Sequence, residues 1–317
     1  MANATFTTST YVGQAALPFV APAILSADTL ANGFISVLDN VRFKANLRKL
    51  SGVAIAARSC EFSTPAAGGL DISDVVLETT QLQVNEQICN DDLAQTWAAE
   101  QMRGNYAGAP GDYVQFLGTY VAAKVAANVE QNIWQGNYDS DGTGAGTPVV
   151  TNFTGICKHI VDESPTHETT GALPLAAATV ASVSIGILDA LADITADAPL
   201  AIAGDPDAVI YMSRASAQLY YQALAATYNL PFLNDGMVAK YAGYSIVTPA
   251  GFPNDTLILG KKDNFYFGTN LLTDHVEARF LDLTNTTGDA VTRIAMLFDG
   301  GTQVVDHDSY SVWRRTA

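Results

Sequence analysis

Charged side chains are scarce in this chain of 317 residues. Lys, Arg, Asp and Glu make up 15% of it, against about 25% in an ordinary soluble domain. Acidic residues outnumber basic ones by 32 to 16, and the lack of clustered Lys and Arg argues against a nucleic-acid-binding protein, which needs them to contact phosphates. Hydrophobic residues nevertheless reach 48%. That fraction argues against intrinsic disorder, which goes with few apolar residues.

Cysteines and long hydrophobic runs are also scarce. Cys60, Cys89 and Cys157 are odd in number and not closely spaced, so we expect buried free thiols in a reducing compartment instead of a disulfide framework or a zinc site. The longest helical segment, residues 113–135, contains charged side chains that make a membrane crossing costly. The first residues have no basic region of a signal peptide. No membrane partner is expected.

Recognisable catalytic and metal-binding motifs are missing as well. The segment 139–150 begins like a calcium loop but has Val150 where a bidentate Glu is required, which favours a solvated glycine-rich loop. Cys157 and His159 suggest a nucleophile pair, against which we weigh a buried thiol beside a surface histidine. The triplet at 306–308 is typical of a capping turn. The sequence therefore predicts no enzyme, no metal site and no cofactor.

Hydrophobic periodicity predicts an α+β chain in which helices and strands are segregated. Residues 1–14 read as an extended arm, followed by a helix over about 27–38. A long helix is predicted from Asp112 to Gly136, and shorter ones over 179–195 and 214–226. Strands are predicted at 207–212, 245–248, 256–259, 264–268, 276–283, 291–298 and 302–306.

A long hairpin is predicted before the long helix. Strand-like runs at Gly52–Phe62 and Leu70–Ile88 flank a turn rich in glycine and proline. In the second run, Leu82 and Val84 alternate with polar residues. The polar positions are Gln81, Gln83, Asn85 and Gln87. A hairpin with so few large apolar side chains is not stable alone in water, so it must lie on another surface.

The order of these segments resembles the major capsid proteins of tailed bacteriophages, which have the Hong Kong 97-type capsid fold. A polar arm is followed by a long hairpin, one long helix, a mixed middle part and a strand-rich end. The stretches 244–249 and 256–268 and the strand-to-helix segment 207–221 are the most similar parts. The resemblance covers nearly the whole chain and rests on organisation instead of an invariant motif.

The resemblance implies four regions. They are an N-terminal arm at 1–48, an extended loop at 49–90, a peripheral domain with a long spine helix at 91–150 and 272–317, and an axial domain at 151–271. It implies a subunit that assembles into the pentamers and hexamers of an icosahedral head, made in the host cytoplasm and found in the virion. Portal, scaffolding and decoration proteins are the implied partners. The head would enclose double-stranded DNA without sequence-specific binding.

Two groups of residues are candidates for contacts between subunits. They are the basic residues near the start and the polar face of the hairpin: Arg42, Lys44, Arg48, Lys49, Arg58, Gln81, Gln83, Asn85 and Gln87. For the basic residues, an equal alternative to contacts between subunits is that they form a solvated strip on the surface. Some relatives cross-link a loop lysine to an asparagine of a neighbour, but here no lysine lies between Lys49 and Lys124, so we expect no such cross-link.

Three alternatives remain open at this point. One is an encapsulin-like shell of the same fold that encloses cargo proteins. Another is a different virion structural protein, such as a tail-tube or decoration subunit, which the long helix disfavours. The third is an enzyme with an unrecognised site. Because the arm-like sequence starts at Met1, we expect scaffolding by a separate protein.

Overall fold

The structure is a computed structural model of the chain. It describes residues 9–12, 27–51, 71–89, 111–138, 148, 150–163, 165–171, 180–228, 240–254, 256–270, 277–283 and 291–315. These residues contain five α-helices and fourteen strands. The strands form two six-stranded sheets and one two-stranded hairpin. The fold is α+β, as the sequence predicted.

The helices are α1 (Asp28–Ala31), α2 (Gly111–Gln135), α3 (Ile156–Asp162), α4 (Val180–Ala196) and α5 (Arg214–Tyr228). The strands are β1 (Ser9–Val12), β2 (Ser36–Leu38), β3 (Lys44–Ser51), β4 (Asp71–Glu78), β5 (Thr80–Cys89), β6 (Glu168–Gly171), β7 (Ala208–Tyr211), β8 (Lys240–Tyr241), β9 (Tyr244–Val247), β10 (Thr256–Lys261), β11 (Phe265–Thr269), β12 (Glu277–Asp282), β13 (Val291–Val304) and β14 (Tyr310–Arg315).

The first sheet is organised around β13. Strand β5 pairs antiparallel with residues 291–300 of β13, and β12 pairs with residues 292–297. Strand β11 pairs with its last five residues, and β1 and β2 complete the sheet. Because Gly300 is paired with β5 and β11 at once, these two strands flank β13 on opposite sides. Among the described strands, β5 therefore has one partner and one open edge.

Helix α2 is about 37 Å long at 1.5 Å per residue, and its second half shares a core with Ile294 and Met296 of β13. Val121, Val125 and Val129 recur every four residues on its buried side, which is the stripe expected of an amphipathic helix. The predicted end at Gly136 is confirmed. A Cβ there would lie 2.1 Å from the carbonyl oxygen of Phe153, so the close approach requires glycine.

The second sheet has the order β6-β14-β10-β7-β9-β8 and carries α4 and α5. Ile187, Leu191 and Ile194 of α4 are fully buried against it, at the helical spacing that the sequence predicted. Strand β10 is central and is buried from Thr256 to Gly260. Ser213 caps α5, because its Oγ accepts the N–H of Ser216 at 3.0 Å.

Two predicted elements are wrong in part. The helix predicted over 27–38 ends at Ala31, since Gly33 adopts a φ of +64°, and residues 36–38 instead pair parallel with β11. The strands predicted at 291–298 and 302–306 are one strand that ends at Val304. Its glycines mark a close crossing of chains, because a Cβ on Gly301 would lie 2.1 Å from the carbonyl oxygen of Glu78.

The two sheets cross the predicted regional boundaries. Strand β11 falls in the range assigned to the axial domain but belongs to the first sheet, whereas β14 falls in the peripheral range and pairs with β6 and β10. The division into four regions stays a prediction. The predicted strand at 52–62 and residues 139–147 of the predicted glycine-rich loop lie outside the described residues.

Candidate interaction surfaces

The hairpin of β3 and β4 has two different faces. Leu50 lies opposite Ile72, and Asn46 lies opposite Val76. Leu50 is 64% exposed, Ile72 60% and Val76 40%, and we call these three side chains the outward face. The other face turns to the body of the same subunit: Leu77 is buried, four side chains are half-buried, namely Ala45, Leu47, Lys49 and Val75, and Ser73 is exposed. Leu50 and Ile72 form an exposed apolar pair, and the charged pair of Arg48 and Asp74 separates them from Val76.

Leu77 attaches the base of the hairpin to the body. It is fully buried, and a Cβ on Gly268 would lie 2.7 Å from its Cδ2. The N–H of Thr79 donates to the carbonyl oxygen of Phe43 at 2.9 Å and closes the base. The chain then enters β5. Assigning all of residues 70–88 to the hairpin was therefore wrong for the second half, because Leu82 and Val84 pack against the body's core.

Two of the basic candidates lie on the outward side of the hairpin and have acidic neighbours there. Lys44 forms an ion pair with Glu78, and Arg48 Nε lies 3.4 Å from Asp74 Oδ1. Both pairs join residues directly opposite each other on the two strands. Exposed pairs of this kind contribute about 0.2–1 kcal/mol each. They align β3 with β4 and leave the charges in reach of another molecule.

Lys49 differs from these residues because it points to the body. Its Nζ contacts an Asp306 carboxylate oxygen and lies 3.4 Å from Asp308 Oδ2. Its side chain is 23% exposed, compared with 74% for Arg48. Lys49 is thus engaged within its own subunit, an arrangement that neither of the two sequence interpretations anticipated.

The remaining candidates lie on or near β5. Gln81, Gln83, Asn85 and Gln87 are all exposed, as the period-two pattern predicted. The amide oxygen of Gln87 accepts a hydrogen bond from Arg293 at 3.1 Å. Arg42 is exposed, and Arg58 lies outside the described residues.

A groove of about 870 Å³ separates β5 from α2. Its apolar lining comes from both elements and from the loop before α3, with Leu82, Val84, Val121, Val125 and Phe153. Polar side chains edge it, namely Gln81, Gln83, Asn85, Lys124 and Asn128. The groove lies along β5, whose second edge has no partner among the described strands. An apolar floor beside such a strand edge is a surface that accepts an extended segment.

A buried carboxylate joins the N-terminal segment, α2 and the second sheet. Glu130 is 3% exposed, and its oxygens accept the N–H of Thr29 at 2.8 Å, the hydroxyl of Thr29 at 2.5 Å and the N–H of Gly251 at 3.3 Å. Trp134 Nε1 donates to the same hydroxyl at 2.8 Å. The charge is stabilised by hydrogen bonds that converge on it.

The Cys157–His159 pair lies on helix α3. Cys157 is 2% exposed, and burial raises the pKa of its thiol, so it is the inert buried thiol that the sequence predicted. The same prediction is wrong for Cys89, which is exposed on β5, and Cys60 lies outside the described residues. Among the described residues, no three His, Cys, Asp or Glu side chains are grouped to hold a metal ion. Nor is any helix in the described segments long and apolar enough to cross a membrane.

Comparison with known proteins identifies the fold. No family model and no curated protein matches the chain. A chain of the satellite phage P4 procapsid, which includes the size determination (Sid) protein, is 15% identical with a TM-score of 0.56, covering 95% of this chain and 99% of that one. A chain of the capsid of the native GTA particle is 14% identical with a TM-score of 0.56, covering 93% and 91%.

A chain of the Gordonia phage Cozz structure is 14% identical with a TM-score of 0.53, covering 92% of this chain and 87% of that one. Similarity at this level of identity is similarity of fold. The protein therefore has a phage capsid fold over nearly its whole length. This confirms the resemblance that the order of its segments indicated.

Proposed function

We propose that the chain is the major capsid protein of a tailed phage. In this proposal it assembles into the pentamers and hexamers of an icosahedral head that encloses double-stranded DNA. The observation that carries the proposal is a capsid fold that extends over 95% of the chain and includes a hairpin with an exposed apolar face. The role is structural and not catalytic. A net charge of −16 suits a wall that repels the phosphates of its contents.

Contacts between subunits would combine the hairpin with the groove. The outward face of one hairpin presents Leu50 and Ile72, and the groove of a neighbour presents Leu82, Val84 and Tyr120. The amides along β5 would form hydrogen bonds across this contact with less desolvation cost than charged groups. Arg42 and Arg48 would lie at its margin. Each subunit gives a hairpin and receives one, which is the head-to-tail contact that closes rings.

The other partners follow from the role of a head. A portal protein, a scaffolding protein and decoration proteins would contact the shell, which would be assembled in the host cytoplasm and remain in the virion. The low charge content fits a subunit that is surrounded by copies of itself, because Ala, Thr, Gln and Asn are buried more cheaply than Lys and Glu.

Electron microscopy of the purified protein and of particles from producing cells tests the assembly directly. Closed icosahedral particles that contain double-stranded DNA are the expected result. Tubes or monomers would contradict the proposal. Closed shells filled with protein cargo would favour the encapsulin-like alternative instead.

A double substitution tests the contact itself. Leu50→Ser with Ile72→Ser should lower the yield of particles at least tenfold, because it removes the apolar part of the outward face. The unfolding free energy of the subunit should change by less than about 0.5 kcal/mol, since both side chains are exposed. Leu200→Ser is the matched control, because Leu200 is 97% exposed and lies far along the chain, after α4. Equal yields from the double variant and the parent would refute the hairpin contact and leave the shell proposal standing.

The missing loop lysine gives a separate expectation. Denaturing gel electrophoresis of mature particles should show the subunit as a single monomer band. A ladder of multimers would show that subunits are cross-linked after all.

A further inference from the structure

We propose that Lys49, together with Asp306 and Asp308, forms an electrostatic clasp that sets the direction of the hairpin in the unassembled subunit. Among the described residues, the hairpin meets the body at its base, through Leu77, and further out through Lys49. Leu77, paired with Ala45, is buried at the base. Lys49 is four residues further along β3, or roughly 14 Å at the rise of a strand. One attachment would let the hairpin turn about its base, whereas two fix its direction.

The acidic side of the clasp is built by the body alone. The side chain of Asn264, itself buried, donates to the carbonyl oxygen of Asp306 and accepts its N–H, both at 2.7 Å. The carboxylate of Asp306 also accepts the hydroxyl of Ser309 and the N–H of Asp308 at 3.0 Å. Thr166 donates to Asp308 Oδ1 at 2.9 Å. Both carboxylates are thus held in place without Lys49.

Partial burial makes this pair different from an ordinary surface ion pair. The side chains of Lys49 and Asp306 are 23% and 24% exposed, whereas Arg48 and Asp74 are 74% and 46% exposed. Partly buried pairs are screened less by salt. Removing one partner also leaves a partly desolvated charge, which costs more than losing a surface pair.

The clasp stays closed near neutral pH. Burial alone would lower the pKa of Lys49, but hydrogen bonds and attraction from Asp306 and Asp308 outweigh it and raise that pKa. Burial would raise the pKa of Asp306, but Lys49, Ser309 and the N–H of Asp308 outweigh it and lower that pKa. Both groups therefore remain charged from mildly acid to mildly alkaline solution. Competition from a neighbouring molecule, and not a change of pH, is what would open the clasp.

The clasp has a consequence for association. A hairpin already held in one direction presents its outward face without a further ordering cost when a neighbour binds. A hairpin attached only at Leu77 would have to be ordered at that moment. The clasp itself belongs to the single subunit and does not depend on the proposed shell.

Arg48 and Lys49 provide a matched experiment, since they are adjacent, carry the same charge and point to opposite faces. Lys49→Gln and Arg48→Gln are compared by hydrogen–deuterium exchange on the full chain, kept unassembled by dilution, following the amides of residues 71–78. Lys49→Gln should speed their exchange about tenfold, because a two-stranded hairpin released from the body is not stable alone. Arg48→Gln should change it less than twofold, and Lys49→Arg should restore the parent rate.

Two outcomes would overturn the proposal: parent-like exchange in Lys49→Gln, or an equal increase in both variants. Asp308→Asn provides a second route should Lys49→Gln fail to fold. It removes one acidic partner and keeps Asp306, so an increase smaller than tenfold but larger than that of Arg48→Gln is expected. No increase would count against the clasp. Because the measurement uses unassembled subunits, its failure is separate from a failure to form particles.

Discussion

The body of the subunit and its hairpin are stabilised in different ways. In the body, Trp134 is fully buried, with ring centroids 4.9 Å from Phe252 and 5.4 Å from Tyr211. Among the described side chains of β3 and β4, Leu77 alone is buried, while Leu50 and Ile72 are mostly exposed. The body thus folds on its own contacts, and the hairpin depends on a few attachments. Substitutions in the two regions should therefore affect different measurements.

The largest expected effect is in the body. Trp134→Ala should lower the unfolding free energy by about 4 kcal/mol, because it removes a fully buried ring and leaves a cavity. Urea denaturation of the subunit measures the change. Tyr120→Ala on the same helix is the control, since Tyr120 is 53% exposed, and should cost less than about 0.5 kcal/mol. A loss below about 1 kcal/mol for Trp134→Ala would contradict the described core.

The attachment of the hairpin should come next. Leu77→Ala should lower the unfolding free energy by about 3 kcal/mol, since it empties a fully buried site against Gly268. Leu50→Ala removes the same atoms from the exposed face of the same hairpin and should change it by less than about 0.5 kcal/mol. If the two substitutions lowered the unfolding free energy equally in urea denaturation, the hairpin would not be attached to the body through the Leu77 face.

The buried carboxylate provides a sharper test of the body. Glu130→Gln keeps the shape of the side chain but replaces one of its two acceptor oxygens with an NH2 group. In the variant this NH2 group would face an N–H or a hydroxyl that donates a hydrogen bond to Glu130 in the parent. We expect a loss of about 2 kcal/mol in urea denaturation, because hydrogen bonds to a charge are lost and a donor is left without a partner. Glu86→Gln is the control, because Glu86 on β5 is itself exposed, and it should be neutral. A neutral Glu130→Gln would show that the converging hydrogen bonds contribute little.

Local pattern was sufficient for some of these features and not for others. Helices α2 and α4 and the exposure of Gln81, Gln83 and Asn85 follow from periodicity, which is a property of neighbouring residues. The partner of β5 does not, because it lies some 200 residues further along the chain. For the same reason Arg48 and Lys49 look equivalent in the sequence.

Two features of the structure distinguish Lys49 from Arg48. One is the register of β3 with β4, and the other is the contact of Lys49 with Asp306, which lies 257 residues further along the chain. The outward face was also missed, since Leu50 and Ile72 alternate with charged and polar residues. Their exposure on a strand was therefore not visible before its register was known.

The smallest expected effect concerns His159, on the helix that packs beside the turn holding Asp306. Burial lowers the pKa of His159, and this outweighs a hydrogen bond with the backbone of Thr302 and attraction from Asp162, while His307 lowers the pKa further. The folded state therefore resists protonation, and the unfolded chain binds a proton first, near pH 6.5. The stability from this site is fully present above pH 6.5 and is lost as the pH falls below that value towards the folded pKa.

His159→Gln should therefore flatten the decrease in unfolding free energy between pH 7 and pH 5, measured by urea denaturation at several pH values. Between pH 8 and pH 9 the unfolding free energies of the parent and the variant should change with pH in parallel, because the imidazole is neutral in the folded and in the unfolded state there. A decrease as steep in the variant as in the parent would assign the acid sensitivity to other groups.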